Sequence, residues 1–192
     1  MGDSRWASEL AASLLEDQLP LRWAHTRRVA AQARRLARAL GPDADLIEAA
    51  AWLHDVGYSP AIAEAGFHPL DGARFLRREH QAGGALCGLV AWHSSAAEEA
   101  SERGLALQLG DEFARPRRDL FQALAYCDMT STPAGEVTTV EARLAEIHAR
   151  YGAGTAVTRA LGRATPELTG AVRSIEARLT AAAGELSGAA AR

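Results

Sequence analysis

The 192-residue chain carries 21 basic and 24 acidic side chains, and its net charge of −3 argues against a nucleic-acid-binding face. Every basic residue is arginine, which excludes a lysine Schiff base and the GxxxxGK[ST] phosphate loop. The N-terminal MGDSRWASELAASLLEDQL has acids but no apolar core of a signal peptide, and no run nears the ~18 apolar residues of a membrane span. A soluble cytoplasmic protein with no membrane partner is therefore expected. Cys87 and Cys127 lack CxxC spacing and read as small buried hydrophobes.

Taken in chain order, almost every segment reads as helix. After an N-terminal helix within residues 1–19, Leu21–Leu40 places Trp23, Val29, Ala33, Leu36 and Leu40 at helical spacing with arginines between them. Pro20 suits its first turn and Gly41-Pro42 ends it. Asp43 then stands where a side-chain cap would open a second helix, Ala44–His54. Its run IEAAAWLHD is apolar on nearly all faces, which predicts a central position. Further helices are predicted over Pro69–Glu79, Leu86–His93 and Arg117–Met129, with a solvated helix over Ala96–Gly104 and a loop over Leu105–Pro116. Glu141–Tyr151, Thr155–Arg163 and Glu167–Ala182 read as amphipathic outer helices, and residues 184–192 as a fraying end. No alternating, β-branched run predicts a strand. The expected fold is all-α, a single-domain helical bundle. Its core would be residues 20–131, with 132–192 packing on that core. The outer pattern fits either closure of the fold or a homodimer.

Five of the six histidines fall between positions 25 and 93, mostly within apolar helical runs. His25 stands in LRWAHTRRVA, His54-Asp55 in AAWLHDVGYS, and Asp128 in ALAYCDMTS. A buried carboxylate is costly unless paired or bound to a metal, so a shared cation accounts for these groups economically. Separate His–Asp hydrogen bonds and caps are the alternative. Imidazole with carboxylate suits iron, manganese, zinc, nickel or cobalt and does not choose among them. His80, at a polar helix terminus, and His148, among charges, are expected at the surface.

The order His25, His54-Asp55, Asp128 resembles the H…HD…D pattern of the HD-domain superfamily, largely metal-dependent phosphohydrolases. The likeness covers roughly residues 20–130 and includes the local runs WAHTRRVA and AAWLHDVGYS. GFHPLDGARFL and LVAWHSSA are similar to two further histidine segments of the family and add His68 and His93. The resemblance implies two divalent transition-metal ions. His25, His54, Asp55 and Asp128 would hold one, and Asp55, His68 and His93 the other; a mononuclear site with His68 and His93 on phosphate is the alternative.

Such a pair, about 3.5–4 Å apart, lets a metal-bound hydroxide attack phosphorus. The implied activity is hydrolysis of a small phosphorylated metabolite, a nucleotide being the leading candidate. Asp55 and, one turn from His25, Arg28 are the candidate catalytic residues, with Arg28 and Arg74 as phosphate donors. Many HD enzymes have lysine where this chain has Tyr58. Tyr58 is a candidate catalytic and substrate-binding group, and Ser59 a candidate substrate contact. That departure leaves open a di-iron oxygenase using the same ligands, or a nucleotide-binding module without turnover.

Overall fold

In the computed structural model, which describes residues 3–190 and side chains of residues 3–182, ten α-helices and two short 3-10 turns make up the fold. The helices are α1 (Ser4–Leu15), α2 (Pro20–Leu40), α3 (Ala44–Leu53), α4 (His68–His80), α5 (Gly84–Ala91), α6 (Ala96–Arg103), α7 (Ala106–Glu112), α8 (Arg118–Met129), α9 (Val140–Tyr151) and α10 (Ala156–Ala190). Extended pairing among the described residues is limited to one isolated bridge between Ser131 and Val137. Among them, no helix is long and apolar enough to cross a membrane.

The all-round apolar character of α3 has the expected consequence. Ile47, Ala49, Ala50, Ala51, Trp52 and Leu53 are all buried, and α1, α2, α5 and α8 pack around them. The helix α2 buries only one stripe, from His25 through Val29 and Ala33 to Leu36. A second, smaller cluster joins Ala125 and Met129 of α8 to Val140 of α9 and to Leu161, Leu168 and Val172 of α10. The outer helices therefore close over α8 and α6 of the same chain. Both cysteines are free and buried.

Several predicted boundaries differ from those observed. The stretch predicted as loop after Gly104 contains α7, whose Leu109 reaches the core and whose Glu112 binds α4. The two helices predicted after Thr155 are one, because buried Leu161, Ala164, Leu168 and Ala171 flank Pro166 and hold both sides of it to the core. Tertiary packing there outweighs the proline's missing hydrogen bond. Asp43 does not cap α3 with its side chain; its carboxylate instead accepts from Arg117 at 2.9 Å. The α6 helix is not simply solvated, since its Ala96, Glu99 and Ala100 are buried. His80 is half-buried against Trp6 and Phe75, and His148 is exposed. The predicted fraying end has helical backbone to Ala190, and its last two residues lie outside the described ones.

The close approach of the 3-10 turn Val56–Tyr58 to the start of α4 matters most for the site. A Cβ built on Gly57 would lie 2.0 Å from the backbone oxygen of His68 and 2.8 Å from the nitrogen of Gly72. Only a residue without a side chain lets the segment after His54-Asp55 lie on the segment that carries His68. Gly57→Ala is expected to destabilise the fold by about 4 kcal/mol, the range of severe core substitutions. A urea-unfolding midpoint unchanged from wild type would contradict this packing.

Candidate metal centre

Five separate chain segments bring six metal-ligating side chains together. His25 comes from the second turn of α2, His54 and Asp55 from the end of α3, and His68 from the first residue of α4. His93 follows α5 and Asp128 lies in the last turn of α8. His25, His54, Asp55, His93 and Asp128 are buried, and His68 is half-buried. Among the described residues, the ligand atoms form two close groups, His25 with His54 and Asp128, and Asp55 with His68 and His93.

Asp55 spans both groups. Its Oδ2 lies 3.4 Å from His54 Nε2 and 3.9 Å from His25 Nε2, while its Oδ1 lies 3.5 Å from His68 Nε2 and 3.8 Å from His93 Nε2. Each oxygen thus faces one pair of histidines. Asp128 completes the first group with Oδ1 3.0 Å from His25 Nε2.

Three of the rings are oriented from behind. The Nδ1 atoms of His25, His54 and His93 stand 3.2, 2.9 and 2.7 Å from the backbone oxygens of Thr132, Ala51 and Val90. A carbonyl only accepts, so each Nδ1 carries a proton; the Nε2 atoms of His54 and His93 then turn a lone pair toward the centre, while His25 Nε2 also meets an acceptor, Asp128 Oδ1, at 3.0 Å. His54 Nε2 has no hydrogen-bond partner there although the residue is fully buried. An inward lone pair left unpartnered at a cluster of carboxylates fits a cation, and the donor set of nitrogens and oxygens suits a divalent transition metal.

The electrostatics agree with ligand-ready protonation at most of these groups. Burial opposes ionisation of Asp55, yet Arg22, His54 and His68 together hold its carboxyl well below the usual range. Burial likewise opposes ionisation of Asp128, and His25 overcomes it, so that carboxyl is also held low. Burial together with neighbouring positive charge pushes His68 and His93 down, keeping both neutral. His54 is the exception: Asp55 and Asp128 outweigh its burial and raise it.

The predicted substrate-binding residues are distributed differently. Tyr58 is at the centre, stacked on His68 with ring centroids 3.8 Å apart and planes 18° apart. Burial and then Asp55 raise its phenol well above the ordinary value, so it is a neutral hydroxyl. Arg28 is turned away: its Nε donates to Gly135 O at 2.8 Å, and it lines a cavity with Arg27, Arg34 and Trp52 that includes none of the six ligands. Arg74 is committed to Glu112, with Nε 3.1 and 3.0 Å from its two oxygens, and ties α4 to α7. Ser59 is fully buried and its hydroxyl has no partner among the described residues, so it does not present itself to a ligand from solvent.

The arginine at the centre is Arg22, which the sequence reading missed. Its Nη1 donates to Asp55 Oδ2 at 2.7 Å, and its guanidinium lies over Tyr58, 4.0 Å from the ring centroid. Arg22, Tyr58 and His68 therefore form one stack. Arg22 and Arg28 are each three residues from His25, and a side chain on a helix leans toward its N-terminus. The His25 ring thus covers the turn that holds Arg22, which was the available signal. Ser94 was missed as well. It has left-handed backbone, with φ of 50°, and its hydroxyl donates to Asp128 Oδ2.

An all-α bundle enclosing a His/Asp cluster of this order defines an HD-type metal-binding domain. The chain belongs to the HD-domain family, whose model matches residues 22–187 and so extends through the outer helices. Members of this family are mostly metal-dependent phosphohydrolases. A curated relative, a deoxyguanosinetriphosphate triphosphohydrolase-like protein of Azorhizobium caulinodans, is 51% identical over 55 residues, which are 29% of this chain and 14% of the relative. The match thus spans about one seventh of that protein's length. No solved structure matches the chain.

Ser94→Ala keeps a residue with the same left-handed backbone requirement and removes only the hydroxyl that holds Asp128. Its affinity for Mn²⁺ is expected to fall about 10–100-fold, the usual effect of losing a ligand-orienting group. Calorimetric titration of the metal-free protein checks this, and unchanged affinity would contradict the orienting role.

Proposed function

We propose that the protein is a metal-dependent phosphohydrolase with a dinuclear centre, acting on a small phosphorylated metabolite and foremost a nucleotide. The observation that carries this reading is the Asp55 carboxylate, with one oxygen toward His25 and His54 and the other toward His68 and His93. His25, His54, Asp55 and Asp128 would hold one ion, and Asp55, His68 and His93 the second. Divalent ions in such sites supply a water acidified toward neutrality and neutralise charge on the phosphoryl oxygens.

The chain's own groups support the rest of the reaction. Arg22 is the cation nearest the ligand cluster, and a guanidinium binds two phosphoryl oxygens at once. Its ion pair with Asp55 keeps it beside the position a phosphoryl group would take. The Tyr58 ring beneath Arg22 fixes the guanidinium plane, and its neutral hydroxyl can donate a hydrogen bond but serves poorly as a base. The nucleotide preference draws on the partial likeness to a protein named for a nucleoside triphosphate.

Anaerobically purified protein is expected to contain close to two transition-metal ions per chain by elemental analysis. A ratio that stays at one overturns the dinuclear assignment. With Mn²⁺ or Fe²⁺ and a nucleotide panel the protein should release phosphate or a phosphate chain, and Asp55→Ala should abolish release. Arg22→Ala should lower kcat about 10²–10³-fold, as the loss of one preorganised transition-state donor does, while Arg28→Ala stays near wild type. The phosphohydrolase reading fails if no phosphorylated compound turns over, and O₂ consumption with a phosphonate or polyol would replace it with oxygenation.

A further inference from the structure

A cavity of about 350 Å³ opens directly off the metal centre, between the α1–α2 connection and the end of α9. His25 belongs to its wall as well as to the ligand cluster, and Arg22, which pairs with the ligand Asp55, lines it too. A phosphoryl group bound at the cluster beside Arg22 therefore borders this space, and the rest of its molecule has room there. We propose that this cavity is the subsite for the nucleoside part of the substrate, with Arg150 at its rim binding a further phosphate. The proposal rests on the phosphohydrolase reading for the position of the reacting phosphoryl group.

Charge decides the direction in which the substrate extends. Arg22 and Arg150 line this cavity and no carboxylate does. A second cavity, about 230 Å³, lies on the other side of Tyr58 and His68, and its wall holds Asp71 and Glu99 together with Arg103, which is paired with Glu99. The wall of the first carries two cations and no acid, and that of the second two acids and one already paired cation, so a phosphate chain is favoured in the first over the second. Arg150 is also available. Its one ionic contact among the described residues is at 3.4 Å with Glu146, whose other oxygen pairs with Arg143.

The chemistry of the wall decides what lies beyond the phosphates. Leu19, Pro20, Leu21 and Pro133 supply aliphatic and prolyl surface suited to the faces of a flat ring. Leu21 is 69% exposed, an apolar side chain that contributes little to the core and stands at the mouth of a substrate-sized cleft. Gln18 is the one amide side chain of the lining, and an amide offers a donor and an acceptor to a base edge. A sugar phosphate would leave its hydroxyls against apolar walls, and inorganic polyphosphate would make no use of them. The volume sits at the lower end for small-molecule sites, which fits one nucleoside.

The test uses anaerobic calorimetry on Mn²⁺-loaded protein with hydrolysis-resistant phosphonate analogues of a nucleoside monophosphate, a nucleoside diphosphate and ribose 5-phosphate. Wild type should bind the nucleoside monophosphate analogue at least about tenfold tighter than the ribose analogue. Leu21→Trp, at an exposed position that tolerates the change, should fill the cavity and erase that preference while ribose binding shifts less than about twofold. Arg150→Ala should remove the extra affinity, about tenfold or more, of the diphosphate over the monophosphate analogue. Preferences unchanged in Leu21→Trp overturn the nucleoside subsite, and an unchanged diphosphate advantage in Arg150→Ala overturns the role of Arg150. These readouts need no turnover. If binding behaves as expected but no phosphate is ever released, the hydrolase reading fails and the subsite stands; if phosphate is released but Leu21→Trp leaves the preference intact, the subsite alone fails.

Discussion

The carboxylate of Asp55 is a full negative charge buried in the core, and the groups around it keep it ionised. It is 3% exposed, between four histidine rings and one guanidinium. Burying such a group without partners would cost more than a small domain's whole stability margin. The partners come from α2, the end of α3, the start of α4 and the residue after the α5 cap. Placing them around one carboxylate therefore requires the helices to meet at that point. The apolar α3 carries the charge into the core, and the others pack around it.

Backbone groups do much of the orienting. Three histidines turn their Nε2 atoms inward because a carbonyl behind each ring accepts a hydrogen bond from its Nδ1–H. Two of those carbonyls, from Ala51 and Val90, belong to residues three positions earlier in the chain, so the orientation is built into the helix end itself. The third, from Thr132, belongs to the turn that leaves α8, and it couples His25 to the segment leading into α9. Gly57 provides the closest backbone approach at the site, and the stack of Arg22, Tyr58 and His68 depends on it.

The two cavities beside the centre give it a polarity that the ligands alone lack. Four ligand histidines flank the two oxygens of Asp55 in pairs, whereas one cavity wall carries Arg22 and Arg150 without a carboxylate and the other carries Asp71 and Glu99 with Arg103. Arg22 of α2, Asp71 of α4 and Glu99 of α6 make this asymmetry together with a residue of the outer helices. Arg150 ends α9 on the cationic side, and Tyr151 borders the acidic one. The C-terminal helices thus close the fold over α8 and also form part of both walls beside the metal centre.

Much of this was legible in the chain. Helical periodicity located α2, α3, α4, α8 and α9 to within a residue or two, because an apolar stripe with Pro at the start and Gly at the end depends on local stereochemistry. His25, His54, Asp55 and Asp128 stood out because they interrupt apolar runs, where a polar group must find a partner in the core, whereas His68 and His93 were added by the resemblance of their segments to the family's. Features set by distant packing were not legible. The α7 helix inside the expected loop and the continuity of α10 through Pro166 depend on what they pack against. Arg28 and Arg22 are equally spaced from His25, and only the direction in which that ring leans, together with the position of Asp55 from another helix, gives the site to Arg22. The chain by itself determined which groups must be buried together, since their chemistry forbids burying them alone. Tertiary structure decided which arginine joins them and on which side a substrate finds room, because both depend on elements far apart in sequence meeting at one carboxylate.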